Sequence, residues 1–77
     1  MKLTVEQTAR VMGVPSQFVR VGIQTGRLDI GACVKLGKGQ QKYTYCVVPT
    51  KVARFMGITL DELERQVNYS DETWEED

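Results

Sequence analysis

Glycine and proline residues divide this chain into short segments. Of all its sequence features, this division restricts the possible folds most strongly. Gly13, Gly26 and Gly57 each follow a segment with helical periodicity, where glycine often takes the left-handed conformation that ends a helix. Pro15 and Pro49 each precede such a segment, and proline suits the first positions of a helix. The sequence therefore predicts several short elements joined by tight turns.

Capping residues and apolar periodicity place four helices between these glycines and prolines. Thr4 and Gln7 have the spacing of a capping box at the start of a helix, and Thr59 and Glu62 repeat this spacing. The predicted helices cover about Val5–Met12, about Ser16–Gln24, the segment from Pro49 to just before Gly57, and the segment from the second capping box to about Val67.

Between the second and third helices the residues are typical of a β-hairpin. Ala32–Leu36 and Tyr43–Val48 are rich in strand-forming residues, whereas Gly37–Lys42 is polar and rich in glycine. The fold class is therefore α+β, with the order helix, helix, strand, strand, helix, helix. We expect this domain to cover residues 1–67, followed by a disordered acidic segment of residues 68–77.

The two cysteines lie in the two predicted strands. Pairing Leu36 with Tyr43 brings Cys33 opposite Cys46, at a Cα separation of ~4.5–5.5 Å that suits a disulfide. Because cytoplasmic proteins are usually kept reduced, we interpret both as small buried apolar residues, with a redox bridge as the alternative. Two cysteines without a histidine form no familiar zinc set, so we expect no metal.

The charges divide the chain into a basic and an acidic part, although the total net charge is zero. Up to Gly57 there are nine basic and two acidic residues, a net charge of +7. From Ile58 onward one base faces eight acids, a net charge of −7. A local field is not cancelled by charges beyond a screening length of ~8–10 Å, so the basic part should attract polyanions. The alternative is that both parts are only solvated surface.

Length and composition argue against several classes of protein. A chain of 77 residues has a modest core and little room for a pocket of ~300 Å³ or more. No apolar run approaches the ~18 residues of a membrane span and no signal peptide is evident, so we expect a cytoplasmic protein without a membrane partner. No histidine and no nucleophile–base pair are present, so we expect neither an enzyme nor a cofactor.

Ala9, Gly13 and Val19 have the residue types and spacing of a helix-turn-helix. The small residue lets the second helix pack closely, glycine takes the positive φ of the turn, and the β-branched residue fills the gap. With these residues the chain resembles small MerR-like and excisionase-like winged helix-turn-helix proteins of phages and mobile elements. The likeness covers about residues 3–57 and is carried by Leu3–Val5, Ala9, Gly13–Pro15, Phe18–Arg20, Gly26–Leu28, Tyr43–Tyr45 and Pro49–Lys51.

This resemblance implies that the helix at residues 16–25 enters the major groove of duplex DNA, with the hairpin at residues 32–48 as a wing on the phosphate backbone. Arginine can contact guanine and glutamine can contact adenine, each through two hydrogen bonds. The candidate contacts on the helix are Ser16, Gln17, Arg20, Gln24 and Thr25. Arg27, Lys35, Lys38 and Lys42 are expected to hold the backbone without reading sequence.

The chain departs from this family at Gly22, where many relatives have a large aromatic residue. Glycine loosens a helix by roughly 0.5–1 kcal/mol relative to alanine. Phe18 and Val21 then have no obvious role, and packing on the hairpin or on a second copy would supply one. Arg20 is the only base on the second helix, so affinity is expected to depend on several copies binding side by side.

Two biological outputs agree with this interpretation, a transcriptional regulator and an excisionase-like recombination directionality factor. A protein-binding adaptor or inhibitor that uses Phe18 and Val21 is the alternative from another class. The acidic segment has three open roles: solubilisation, contact with a recombinase or another protein through Trp74, and competition with DNA for the basic part.

Overall fold

The computed structural model describes residues 1–35, Gly37 and residues 42–73, with Thr73 described in its backbone only. Its elements follow the predicted order of two helices, an antiparallel hairpin and two helices. They are α1 (Val5–Met12), α2 (Ser16–Gln24), β1 (Gly31–Lys35), β2 (Tyr43–Val47), α3 (Pro49–Met56) and α4 (Leu60–Thr73). The predicted α+β fold class is therefore confirmed. Within the described residues, no helix is both long enough and apolar enough to span a bilayer.

The turn between α1 and α2 forms as the sequence predicts. The Thr4 hydroxyl accepts a hydrogen bond from the Gln7 N–H at 3.0 Å, and the Thr4 N–H donates to the Gln7 side chain at 2.9 Å. Gly13 ends α1 with a φ of 73°, and the N–H of Val14 donates to the Ala9 carbonyl. This αL end turns the chain within two residues, so that α2 begins directly after Pro15.

A single apolar core joins all the helices to the inner side of the hairpin. Val19 of α2, Ile30 before the hairpin, Val52 of α3 and Leu63 of α4 are fully buried at its centre. The remaining buried apolar residues are Leu3, Val5, Ala9, Ile23, Leu28, Val47, Ala53 and Val67. The hairpin is thus held to the helices by Ile30 and Val47, which flank its base.

Two glycines allow backbone and side chains to approach closely around the hairpin. A Cβ atom on Gly22 would lie 2.7 Å from the Cβ of Leu28, and one on Gly31 would lie 2.1 Å from the carbonyl oxygen of Cys46. The Gly22 carbonyl also accepts hydrogen bonds from the N–H groups of Arg27 and Leu28. Gly22 is therefore a packing site for Leu28, and it is not simply a loosened point of α2.

The hairpin register differs by one residue from the predicted register. Lys35 pairs with Tyr43, so Cys33 lies opposite Tyr45, and Cys46 lies opposite Ala32. Because side chains alternate between the two faces of a strand, a shift of one residue places the two cysteines on opposite faces of the hairpin. The prediction that Cys33 and Cys46 face each other is wrong, and both are free thiols. The expected burial is also wrong, since Cys33 is half-buried and Cys46 is exposed.

The fourth helix is longer than the sequence predicts. It was expected to end near Val67, but α4 continues to Thr73. Asp71 accepts a hydrogen bond from the Gln7 side chain at 2.8 Å and forms an ion pair with Arg10 at 3.4 Å. These contacts tie the last turn of α4 to α1, so the expectation of disorder fails for residues 68–73. Residues 74–77 lie outside the described residues.

The close contact at Gly22 predicts that Gly22→Ala destabilises the fold. The added methyl group would displace Leu28, and overpacking of this kind typically costs about 1–3 kcal/mol. Urea denaturation measures the free energy of unfolding, and Gln17→Ala on the exposed side of α2 is the matched control. Helix propensity alone predicts the opposite sign, a gain of roughly 0.5–1 kcal/mol, and that gain would contradict the packing role.

The opposed faces of the cysteines predict unequal thiol reactivity and no disulfide within one chain. Cys46 is exposed and Cys33 packs against the core, so iodoacetamide should modify Cys46 several-fold faster. Peptide mass spectrometry along a time course measures both rates. After mild oxidation of dilute protein, a bridge joining Cys33 to Cys46 would show that the register is incorrect.

Candidate nucleic-acid interface

Helix α2 separates its polar and buried side chains into different stripes. Val19 and Ile23, four residues apart, are buried against the core. Ser16, Arg20 and Gln24 recur at the same interval and therefore lie on a second stripe of the helix. Since α2 has 3.6 residues per turn, this second stripe adjoins the buried one and runs beside the hairpin.

Arg20 is held at the middle of this polar stripe. Its Nη2 atom lies 2.8 Å from the Glu6 carboxylate of α1, and its Nη1 atom donates to the Ser16 hydroxyl at 3.1 Å. The Arg20 side chain remains 35% exposed and that of Glu6 58% exposed. The pair is therefore open to solvent, where exchange of one carboxylate for another anion costs little.

The hairpin presents aromatic and basic side chains on the face that is turned toward α2. Tyr43 and Tyr45 are two residues apart on β2, so both side chains lie on this face, with their ring centroids 6.3 Å apart. The ammonium nitrogen of Lys35 lies 5.3 Å from the centroid of the Tyr43 ring. The side-chain amide of Gln24 donates to the Tyr45 hydroxyl. A hydrogen bond thus joins the polar stripe of α2 directly to the hairpin.

These side chains enclose one concave surface, which we call the α2–hairpin cleft. It is lined by the start of α1, by Arg20 and by the two tyrosines. The charged residues lining it are Lys2, Glu6 and Arg20, and Lys35 lies beside it above Tyr43. Three bases therefore surround one acid, and that acid is already paired with Arg20. The basic side chains suit an extended anionic ligand, and the tyrosines suit planar groups with hydrogen-bonding atoms on that ligand.

The structure does not place all of the predicted contact residues at this cleft. Thr25 and Arg27 line a different depression together with Phe18 and Phe55, and the Thr25 hydroxyl donates to the Val21 carbonyl at 2.8 Å. Gln17 is exposed on α2 and Lys42 is exposed at the base of the hairpin tip. Lys38 lies outside the described residues. Of the predicted contacts, Arg20 lines the cleft, and Ser16, Gln24 and Lys35 each contact one of its lining residues. Thr25 and Arg27 lie apart from it.

The charged and aromatic residues of the cleft that were not predicted from the sequence are Lys2, Glu6, Tyr43 and Tyr45. Glu6 belongs to α1 and meets Arg20 only through the packing of the two helices, which no local pattern reveals. Tyr43 and Tyr45 are two residues apart on one strand, a spacing that places them on one face. That alternation was available in the sequence as a signal for a shared aromatic surface.

The other cross-element ion pairs of the described residues lie away from the cleft. Lys51 of α3 pairs with Asp29 at 3.0 Å, and Arg10 pairs with Asp71 of α4. Asp71 of α4 therefore contacts α1 at Gln7 and Arg10, neither of which lines the cleft. Within the described part of α4, no residue lines the cleft. Comparison with protein-family models, curated protein sequences and solved structures finds no match to this chain.

Proposed function

We propose that this chain binds duplex DNA in a sequence-specific manner, with α2 in the major groove and the hairpin on the phosphate backbone. The observation that carries the proposal is the position of Arg20. It lies half-exposed on α2 at the edge of a cleft that the hairpin tyrosines complete. A helix and a β-ribbon that flank one cationic concave surface suit the convex, anionic edge of a duplex.

In this proposal the polar stripe of α2 reads bases and the hairpin positions the protein. Arg20 would exchange Glu6 for the O6 and N7 acceptors of a guanine, which the guanidinium contacts with two parallel hydrogen bonds. The N–H groups at the start of α2, next to Ser16 and Gln17, favour a phosphate. Lys2, Lys35 and Lys42 would neutralise phosphates without reading the sequence.

Gln24 has a different proposed role from the one that its residue type suggests. Its amide donates to Tyr45, so it is committed to the hairpin and is not free to contact an adenine with both polar atoms. We therefore assign Gln24 and Tyr45 to fixing the angle between α2 and the hairpin. Such a fixed angle matters because base contacts require positions accurate to about 0.5 Å.

The proposed biological output is that of a phage or mobile-element DNA-binding protein. A transcriptional regulator would occupy one operator, whereas an excisionase-like recombination factor would occupy neighbouring sites and bend them. Both outputs use the same cleft. Selection of bound duplexes from a random pool, followed by footprinting and a bending assay on the selected duplex, distinguishes them by the length and curvature of the occupied DNA.

The proposal predicts salt-dependent binding that requires Arg20. Three phosphate contacts release counterions and give a log–log salt slope of roughly −3. On the selected duplex, Arg20→Ala should weaken binding about 5- to 150-fold, corresponding to ~1–3 kcal/mol. Arg65→Ala removes the same charge on α4, outside the cleft, and is the matched control. Fluorescence anisotropy at several salt concentrations measures these affinities. Equal losses for the two variants would contradict a specific role for Arg20.

The ion pair of Arg20 with Glu6 predicts that Glu6→Gln strengthens DNA binding. The carboxylate competes with the DNA for the guanidinium, and an exposed pair of this kind is worth ~0.2–1 kcal/mol. We expect an affinity gain of about 1.4- to 5-fold. Glu64→Gln removes a carboxylate from the exposed side of α4 and should change affinity much less. If both variants gain equally, the effect is one of net charge and not of the pair.

A protein-binding adaptor is the second candidate, because the fold also exposes an apolar surface. Phe18 is 52% exposed and Phe55 is 57% exposed, and both line one groove. Absence of binding to mixed duplex DNA at about 50 mM salt, where nonspecific phosphate contacts are strong, would favour the adaptor.

A further inference from the structure

A second depression, the apolar groove, lies on the side of α2 away from the cleft. Its lining combines side chains from α2, from the segment that follows α2, and from α3. It encloses about 360 Å³ and is lined almost entirely by apolar atoms. The lining residues are Phe18, Val21, Gly22, Thr25, Arg27, Leu28 and Phe55. Pockets that bind small molecules have volumes of ~300 Å³ or more, so this groove is large enough for one large aromatic side chain.

The groove exposes more apolar surface than folding requires. Phe18, Val21 and Phe55 are 52%, 43% and 57% exposed, although each could have been polar without changing the core. An exposed cluster of large apolar side chains at one place is typical of a contact surface. A ligand of this groove is therefore expected to have a large apolar group.

The edge of the groove carries a net positive charge, because the carboxylate beside it, Asp29, is paired with Lys51. Arg27 is one of its lining residues, and Arg54 lies beside Phe55 on the adjoining surface. Among the described residues, neither arginine pairs with a carboxylate. An occupant of the groove should therefore carry acidic groups next to its apolar group.

The sequence that follows α4 has this composition. Trp74 is the only tryptophan of the chain, and Glu75, Glu76 and Asp77 come directly after it. We propose that the apolar groove binds Trp74 and the carboxylates after it from a second copy of this chain. The indole would contact Phe18 and Phe55, and the carboxylates would contact Arg27 and Arg54. This association goes beyond the proposed DNA binding and does not depend on it.

The geometry of α4 favours a second copy over the same chain. Phe55 is near the end of α3, next to the turn from which α4 begins. From Leu60 to Thr73 a helix of 1.5 Å per residue extends about 20 Å, and Asp71 fixes its far end to α1. Trp74 follows Thr73 at a Cα distance of about 3.8 Å. It therefore starts at the end of α4 that lies away from the groove.

Such a contact joins two different surfaces, the groove of one copy and the Trp74 segment of another. Each copy then has one groove and one Trp74 segment, and removal of either surface should abolish self-association. Trp74→Ala leaves the groove intact, and Phe55→Ala leaves the segment intact. When the two variants are mixed, the segment of the Phe55→Ala chain can still enter the groove of the Trp74→Ala chain. The resulting species stops at two chains.

Sedimentation equilibrium of the full chain without DNA, from about 10 µM to 1 mM, tests this proposal. The wild type should gain mass with concentration, and each variant alone should dissociate at least about tenfold more readily. The mixture of the two variants should restore a two-chain species. Val21→Ala in the groove should weaken association, whereas Val34→Ala, at another exposed valine on the hairpin, should not. Circular dichroism verifies that each variant is folded.

Three results would overturn the proposal. A monomeric wild type at 1 mM would show that a second copy does not occupy the groove. Association that survives Trp74→Ala but not Phe55→Ala would indicate that two grooves meet each other. Protection of Trp74 fluorescence from a quencher at concentrations where the protein is monomeric would place the indole on its own chain.

Discussion

The absence of side chains at Gly22 and Gly31 is the constraint on which the rest of this structure depends. Gly22 allows Leu28 to pack directly on α2, and Gly31 allows β1 to approach the Cys46 carbonyl of β2. Between them Ile30 is fully buried and anchors the start of the hairpin. Without these close approaches the hairpin could not lie beside α2. The cleft therefore depends on close packing at the base of the hairpin.

One short helix supplies three surfaces because its side chains recur with the helical period. The first stripe, with Val19 and Ile23, enters the core. The second carries Arg20 and Gln24 toward the hairpin. The third, with Phe18, borders the apolar groove. Nine residues suffice for all three surfaces, because the helical period separates them around the axis of α2.

Local features of the sequence predict the helices that have strong terminal signals. α1, α2 and α3 begin and end where the capping box, the prolines and Gly13 or Gly57 indicate. The end of α4 could not be predicted in this way, since its polar composition resembles a disordered segment. The helix is extended by Asp71, whose partners Gln7 and Arg10 are distant in sequence. Tertiary contacts decide the structure where propensity is weak.

The local sequence predicts that a hairpin forms, but the register of its two strands depends on contacts with distant residues. The alternation of strand residues predicts a hairpin, but the pairing was one residue off because the length of the connecting tip sets the register. The structure selects the pairing in which Val47 is buried opposite Gly31 and forms a bridge with Leu3. This choice depends on the rest of the core. It also turns Tyr45 toward Gln24, so an error of one residue in the register hides the aromatic part of the candidate site.

The charge division of the sequence becomes a spatial division in the folded chain. The acids of α4 that contact other elements do so at α1, through Asp71, whereas the cleft contains Glu6 as its acidic lining residue. Residues 68–73 are therefore engaged away from the surface that they were suggested to cover in competition with DNA. A zero net charge is thus compatible with a surface that favours an anionic partner, because Lys2, Arg20 and Lys35 face Glu6 at the cleft.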